Sequence, residues 1–101
     1  VYVAGPMTGL PDFNRPAFAE AEARLTAAGF EVVNPANLPD PCADPEWLDW
    51  MRACIPQLLT CDGVAMLPGW SRSPGARTEV TLADGLGFHV MNVDLWVRGD
   101  A

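Results

Sequence analysis

Short apolar runs alternate with segments of helical periodicity along the chain, and this alternation constrains the fold more than any other feature. The runs are VYVAG, FEVVNP, GVAML and FHVMNV, and LWV either extends the last run or begins a fifth strand. Continuous apolar strands separated by helices are typical of a parallel sheet that is covered on both faces. The alternation predicts a small doubly wound α/β fold, Rossmann-like or flavodoxin-like, with a parallel sheet of four to five strands flanked by helices.

Three helices are predicted between these runs. The first follows Asn14 as N-cap and ends at Gly29, and the third extends from Gly75 to Gly87. The second begins with Asp44 as N-cap and Pro45 in the first helical position, and Pro56 predicts a kink or an early end. Each helix carries an apolar face at spacings of three and four: Phe18, Ala21, Leu25 and Ala28; Trp47, Met51, Cys54, Ile55 and Leu58; Ala76, Val80, Ala83 and Leu86.

Length and charge narrow the classes of protein. The chain has 101 residues and a formal net charge of −7, which predicts one domain over residues 1–101 and argues against binding to nucleic acid. No apolar run approaches the ~20 residues of a membrane span, and we expect no signal peptide and no membrane association. The three cysteines, Cys42, Cys54 and Cys61, fit no zinc pattern. Free thiols in the cytoplasm are expected, without a metal site or a cofactor.

The loop after the third apolar run is a candidate phosphate cradle. Glycine and serine residues, among them Ser71, Ser73 and Gly75, let the backbone approach an anion closely, and Arg72 or Arg77 adds charge. In doubly wound sheets the ligand lies beyond the carboxyl ends of the strands, and a helix N-terminus there favours anions. The alternative is an ordinary loop in which the glycines only form turns.

Glu79 follows this loop and is predicted to lie near the start of the third helix. One interpretation is structural, because the helix dipole favours acidic residues in a first turn. The other is chemical: a carboxylate that the helix keeps ionised and fixed in position is suited to attack an anomeric carbon.

Five stretches taken together resemble a known family. They are YVAGPMTG, NRPAF, VVNP, CDGVAMLPGW and SPGARTE, and the likeness extends from Tyr2 to about Val90. In this order they resemble a small bacterial and phage domain of uncharacterised function that is related to the nucleoside 2-deoxyribosyltransferases.

The resemblance implies cleavage of the N-glycosidic bond of a deoxynucleoside or deoxynucleotide. Glu79 matches the glutamate that attacks C1′ and forms a covalent glycosyl-enzyme, and Tyr2 matches a tyrosine that orients it. Gly5, Thr8 and Gly9 match the loop around the sugar and base. A second base or water would then resolve the intermediate.

Two positions of the resemblance concern the substrate. Ser73 stands where nucleotide-cleaving relatives carry a serine for a 5′-phosphate and nucleoside transferases carry an aspartate. Cys54 stands where the relatives carry an aspartate that protonates or hydrogen-bonds the leaving base. A thiol is a poor substitute for that acid, so either another acid such as Asp49 serves, or the reaction is slow or lost.

Three functions therefore remain open. The first is an enzyme acting through Glu79 on a deoxynucleoside 5′-monophosphate. The second is a non-catalytic module that binds or senses a nucleotide, and the third is a structural protein with an inherited fold. Because relatives complete the site with a neighbouring subunit, the resemblance also implies a homodimer or a higher homo-oligomer.

Some other residues have weaker functional interpretations. His89, in the fourth run, is expected to be a strand or interface residue. Trp70 is either a hydrophobic lid over the loop or a wall against a base or partner. Asn34 and Asn37 either hydrogen-bond a ribose or base or simply form turns.

Overall fold

The computed structural model describes residues 1–99 as an open parallel sheet with helices on both faces. The sheet contains three strands, β1 (Tyr2–Ala4), β2 (Gly63–Met66) and β3 (His89–Asn92). They are hydrogen-bonded in the order β1-β2-β3, and Tyr2 is in register with Val64, which is in register with Val90. The α/β class, the parallel sheet and the flanking helices agree with the prediction, but the sheet is smaller.

The second predicted strand is reduced to a single bridge beside β1. Val33 pairs with Tyr2 in the parallel sense, and its amide donates to the Val1 carbonyl at 2.8 Å. Asn34 ends the pairing, because its side chain accepts a hydrogen bond from the Ala36 amide and turns the chain into a short 3-10 helix over Pro35–Asn37. The apolar run 30–35 thus lies at the sheet edge without forming a full strand.

Four α-helices flank the sheet: α1 (Arg15–Ala27), α2 (Trp47–Leu58), α3 (Pro74–Gly85) and α4 (Val93–Arg98). The last of these corrects the expectation that LWV is a strand. Val93, Trp96 and Val97 recur at spacings of three and four and all contact the core, so the helix buries a face that a strand would have divided between two sides. None of the helices in residues 1–99 combines the length and apolarity needed to cross a bilayer.

Helix α2 begins later than predicted. Its N-cap is Glu46 and not Asp44, and Glu46 forms a reciprocal capping box with Asp49, whose carboxylate accepts from the Glu46 amide at 3.0 Å. Pro56 lies inside the helix, which ends two residues later at Leu58.

The core has two halves, because successive side chains of a strand point to opposite faces of the sheet. On the α2–α3 face, Tyr2, Ala4 and Val64 contact the inward sides of α2 and α3. On the α1–α4 face, Val3 and Ala65 contact the helices on the other side, through the buried residues Phe18, Ala21, Leu25 and Val93.

Trp96 fastens α4 to the sheet on the α1–α4 face. Its Nε1 donates to the Val64 carbonyl at 2.8 Å, and its ring meets Phe30 edge to face, with centroids 5.3 Å apart. The indole lies so close to Gly63 that a Cβ there would approach it to 2.6 Å. Gly63 is therefore required by the packing of this tryptophan.

Candidate active site

Glu79 is buried inside the α2–α3 face and does not lie in the first turn of its helix. Ser73 caps α3 and Pro74 begins it, so Glu79 is the sixth residue, in the second turn. Its inward position follows from the helical period, because it lies three residues after Ala76 and four before Ala83, both of which are buried. Glu79 is 7% exposed among mainly apolar neighbours.

Tyr2 reaches this carboxyl group from the sheet. Its side chain is fully buried, and its hydroxyl donates a hydrogen bond to Oε2 of Glu79. The two residues are 77 positions apart in the chain, and they meet because β1 lies beneath α3. A buried carboxyl group needs a partner, and the phenol provides one.

Cys54 is the third member of the cluster. It points inward from α2 and is 9% exposed. It packs in the same core cluster as Tyr2, and it lies close enough to Glu79 to interact with its charge. We refer to Tyr2, Cys54 and Glu79 as the buried triad.

Burial raises the pKa of all three residues of the buried triad. It raises the pKa of Glu79 from 4.5 to about 7, although the hydrogen bond from Tyr2 works in the opposite direction. Burial, and then the charge of Glu79, raise the pKa of Cys54 and also that of Tyr2. Glu79 is therefore only about half ionised at neutral pH, and not held fully ionised as expected, because the dipole acts mainly within the first turn and loss of hydration dominates in the second.

The loop after β1 contains the three residues predicted to surround a sugar and base. Gly5 is a glycine for a steric reason, because a Cβ there would lie 2.7 Å from the Cβ of Leu67. Thr8 and Gly9 are exposed in the following turn, and Gly9 has a φ of 82°. The structure thus places Thr8 and Gly9 at the surface and Gly5 in the contact between two loops.

The predicted phosphate cradle is the loop that leads into α3. The Ser73 hydroxyl accepts from the Ala76 amide at 3.2 Å and retains its own proton for donation. Ser71 is exposed in a short 3-10 helix. Gly75 has no steric need to be a glycine, because a Cβ there would make ordinary contacts at 3.5 Å with Met51 and Trp47.

Two surface grooves lie on opposite faces of the sheet, and neither is lined by Glu79. One contains Arg77 and lies between α2 and α3, and the other lies on the α1–α4 face beside Arg24 and Asp94. The partly buried side chains of Leu38 and Trp70 pack on the α2–α3 core instead. Trp70 therefore packs against the core of this face, and because Glu79 is almost fully buried, a ligand reaches it only when neighbouring side chains move.

Several polar residues considered from the sequence are engaged elsewhere. Asn34 and Asn37 both donate to Oε1 of Glu22, at 3.0 and 3.1 Å, and sequence reasoning missed Glu22 altogether. Asp49 is held in the α2 capping box. His89 is exposed on β3, which is separated from β1 by β2.

Comparison with protein families identifies the chain. Residues 1–92 match the family model described as a domain of unknown function, DUF4406, and the chain belongs to this family. No curated protein matches it. Within residues 1–99, no three His, Cys, Asp or Glu side chains are grouped so that they could hold a metal ion.

Proposed function

We propose that this member of the DUF4406 family cleaves the N-glycosidic bond of a deoxynucleoside 5′-monophosphate, or transfers its deoxyribosyl group to a second base, with Glu79 as the nucleophile. The supporting observation is the buried hydrogen bond between Tyr2 and Glu79. An ionisable carboxyl group inside an apolar core is costly, and perturbed groups of this kind concentrate at functional sites. The likeness to the nucleoside 2-deoxyribosyltransferases gives the reaction class.

In the proposed reaction, an ionised Glu79 oxygen bonds to C1′ of the deoxyribose as the bond from C1′ to the base breaks. The resulting ester is then opened by water, which gives hydrolysis, or by a second base, which gives transfer. Tyr2 holds the attacking carboxylate through its hydroxyl. Because Glu79 has a pKa of about 7, we expect the rate to rise with pH up to about 7 and then to level off.

The remaining site residues are assigned to the two ends of the nucleotide. The Gly75 amide at the start of α3 and the Ser73 hydroxyl suit a 5′-phosphate, helped by the exposed Arg72 or Arg77. Gly5, Thr8 and Gly9 on one side, and Ser71 and Gly75 on the other, are the loop positions proposed to border the ligand. A displaced Trp70 would admit it.

The second candidate is a nucleotide-binding or sensing module without turnover. The covered state of Glu79 and the thiol at Cys54 favour it, because both slow a glycosidic cleavage. The module would retain the phosphate contacts and lack the chemistry.

A base-release assay separates the candidates. Deoxynucleoside monophosphates are incubated with the protein at pH 8, and free base is followed by chromatography. We expect release by wild type and by the exposed control Glu20→Gln, and none by Glu79→Gln. Saturable binding without release would favour the sensing module, and the absence of both would leave only a structural role.

The phosphate assignment has its own test. Calorimetric titration compares a deoxynucleoside with its 5′-monophosphate on wild type and Ser73→Ala. We expect the monophosphate to bind at least tenfold more tightly to wild type, and the substitution to reduce that difference. Equal affinity for the two ligands would contradict the assignment.

We also propose that the protein is a cytoplasmic homodimer or higher homo-oligomer. Trp47 and Leu48 are half exposed at the start of α2, beside the groove that contains Arg77. Light scattering coupled to size exclusion measures the mass directly. A monomer across the micromolar range would contradict this assembly.

A further inference from the structure

We propose that Cys54 determines specificity: it favours nucleotides whose base leaves as a well-stabilised anion, such as a halogenated uracil, and disfavours thymine and adenine, whose N–H groups are less acidic. This inference rests on the proposed function, because it concerns the leaving group of the same reaction. Its basis is the set of side chains that the fold places around Glu79.

Cys54 and Tyr2 are the side chains that face Glu79 from α2 and β1. Both are buried, and they pack in the same cluster of the core. The Tyr2 proton is already donated to the carboxylate that must attack. Of the two groups, only the thiol is left to meet a departing base.

The other charged groups on these elements are directed elsewhere. On α2, Arg52 is exposed and Asp49 is fixed in the capping box. On α3, Arg77 and Asp84 are exposed. The side chains from β2 and from the loops that pack on this core are apolar, namely Val64, Leu38 and Trp70.

A thiol in this position is a weak proton donor. Burial and the nearby carboxylate both raise the pKa of Cys54, so the group holds its proton. A sulfhydryl is also a weak hydrogen-bond donor compared with a carboxylic acid. The departing base therefore receives little help from protonation.

The bonds that form and break then determine which bases leave fastest. As the Glu79 oxygen bonds to C1′, the electron pair of the bond between C1′ and nitrogen remains on the base, which leaves as an anion and later takes a proton from water. General acid catalysis contributes about 10²–10⁴-fold where it operates. Without it, the rate follows the stability of the departing anion.

The wild-type test is a leaving-group series. Single-turnover base release is measured at pH 8 for the monophosphates of 5-fluorodeoxyuridine, deoxyuridine, thymidine and deoxyadenosine. We expect rates to fall in the order of base acidity, with thymine and adenine, the least acidic of the four, roughly tenfold or more slower than 5-fluorouracil. Release at equal rates would overturn this inference and leave the proposed function intact. No release from any member would overturn both.

Substitution at position 54 supplies the matched test. Cys54→Asp places a carboxylic acid beside the base, and we expect adenine release to increase about 10²-fold while 5-fluorouracil release changes little. Cys54→Ser, which is similar in size and not an acid, should show the same dependence of release rate on base acidity as wild type. Far-UV circular dichroism checks that each variant is folded. The inference would be overturned if a folded Asp variant showed the same dependence of release rate on base acidity as wild type, or if the Ser variant showed no such dependence.

Discussion

The two faces of the sheet share the same strands, but they differ in the chemistry of the side chains that they bury. The α1–α4 face buries Val3, Phe18 and Leu25 in an apolar core whose Trp96 N–H is satisfied by a backbone carbonyl. The α2–α3 face buries a carboxyl group, a phenol and a thiol among similar aliphatic side chains. The apolar core of the α1–α4 face shows that stability does not require buried ionisable groups. The carboxyl, phenol and thiol buried on the α2–α3 face are therefore evidence that function also constrains the sequence.

The largest expected effect tests the apolar face. Leu25→Ala removes a fully buried side chain, and we expect the free energy of unfolding to fall by about 2–5 kcal/mol. The loss should be the same at pH 5 and pH 8, because no titrating group is involved. Urea denaturation measures it, with the half-exposed Leu86→Ala as control, which should change stability by less than about 0.5 kcal/mol.

Glu79→Gln tests the polar face. The carboxyl ionises near pH 4.5 in the unfolded chain and near pH 7 in the folded one. The stability that its neutral form retains is fully present below pH 4.5 and is lost as the pH rises through 7. Glutamine cannot ionise, so the variant should gain about 3 kcal/mol relative to wild type between pH 4 and pH 8.

Urea denaturation at several pH values checks this gain, with Glu20→Gln as an exposed control. If wild type and Glu79→Gln lose stability in parallel across this range, Glu79 is not the titrating group, and the contrast between the faces disappears.

Tyr2→Phe tests the hydrogen bond within the buried triad. The phenol stabilises the ionised form of Glu79, and hydrogen bonds to charged groups contribute about 1.5–3 kcal/mol. Its removal should therefore raise the pKa of Glu79 by roughly one pH unit or more. Carbon-13 NMR titration of the Glu79 carboxyl measures the change directly, and an unchanged midpoint would contradict the contact.

The smallest effect concerns the rim of the apolar face. Arg24 and Asp94 form an ion pair at 2.7 Å between α1 and α4, but both side chains are well exposed. Arg24→Ala should cost less than about 1 kcal/mol, and the cost should shrink in 1 M salt. A large loss that persists in high salt would show that the apolar face also depends on charge.

Local periodicity predicted much of this fold. The spacing of Phe18, Ala21 and Leu25 indicated the buried side of α1, and the inward position of Cys54 followed from α2. Strand formation was less predictable, because it depends on a partner. Run 30–35 has only the edge of β1 beside it and is turned away by Asn34.

The candidate site was harder to predict from the sequence than the fold was. Nothing local connects Tyr2 to Glu79, and only the family resemblance placed them together. The burial of Glu79 had a readable signal, since it shares a helical face with Ala76, Val80 and Ala83. Its raised pKa follows from that burial, which depends on β1 and α2 closing over it.

Trp96 projects from α4 into the core of the α1–α4 face, and its position gives each face its own fluorescence signal. Trp96 belongs to the α1–α4 core, whereas Trp70 packs on the opposite one. Two otherwise tryptophan-free chains, each retaining one of these indoles, would emit from opposite layers of the same molecule. Stopped-flow fluorescence during refolding would then time the two layers separately and show whether the layer that holds the buried acid closes last.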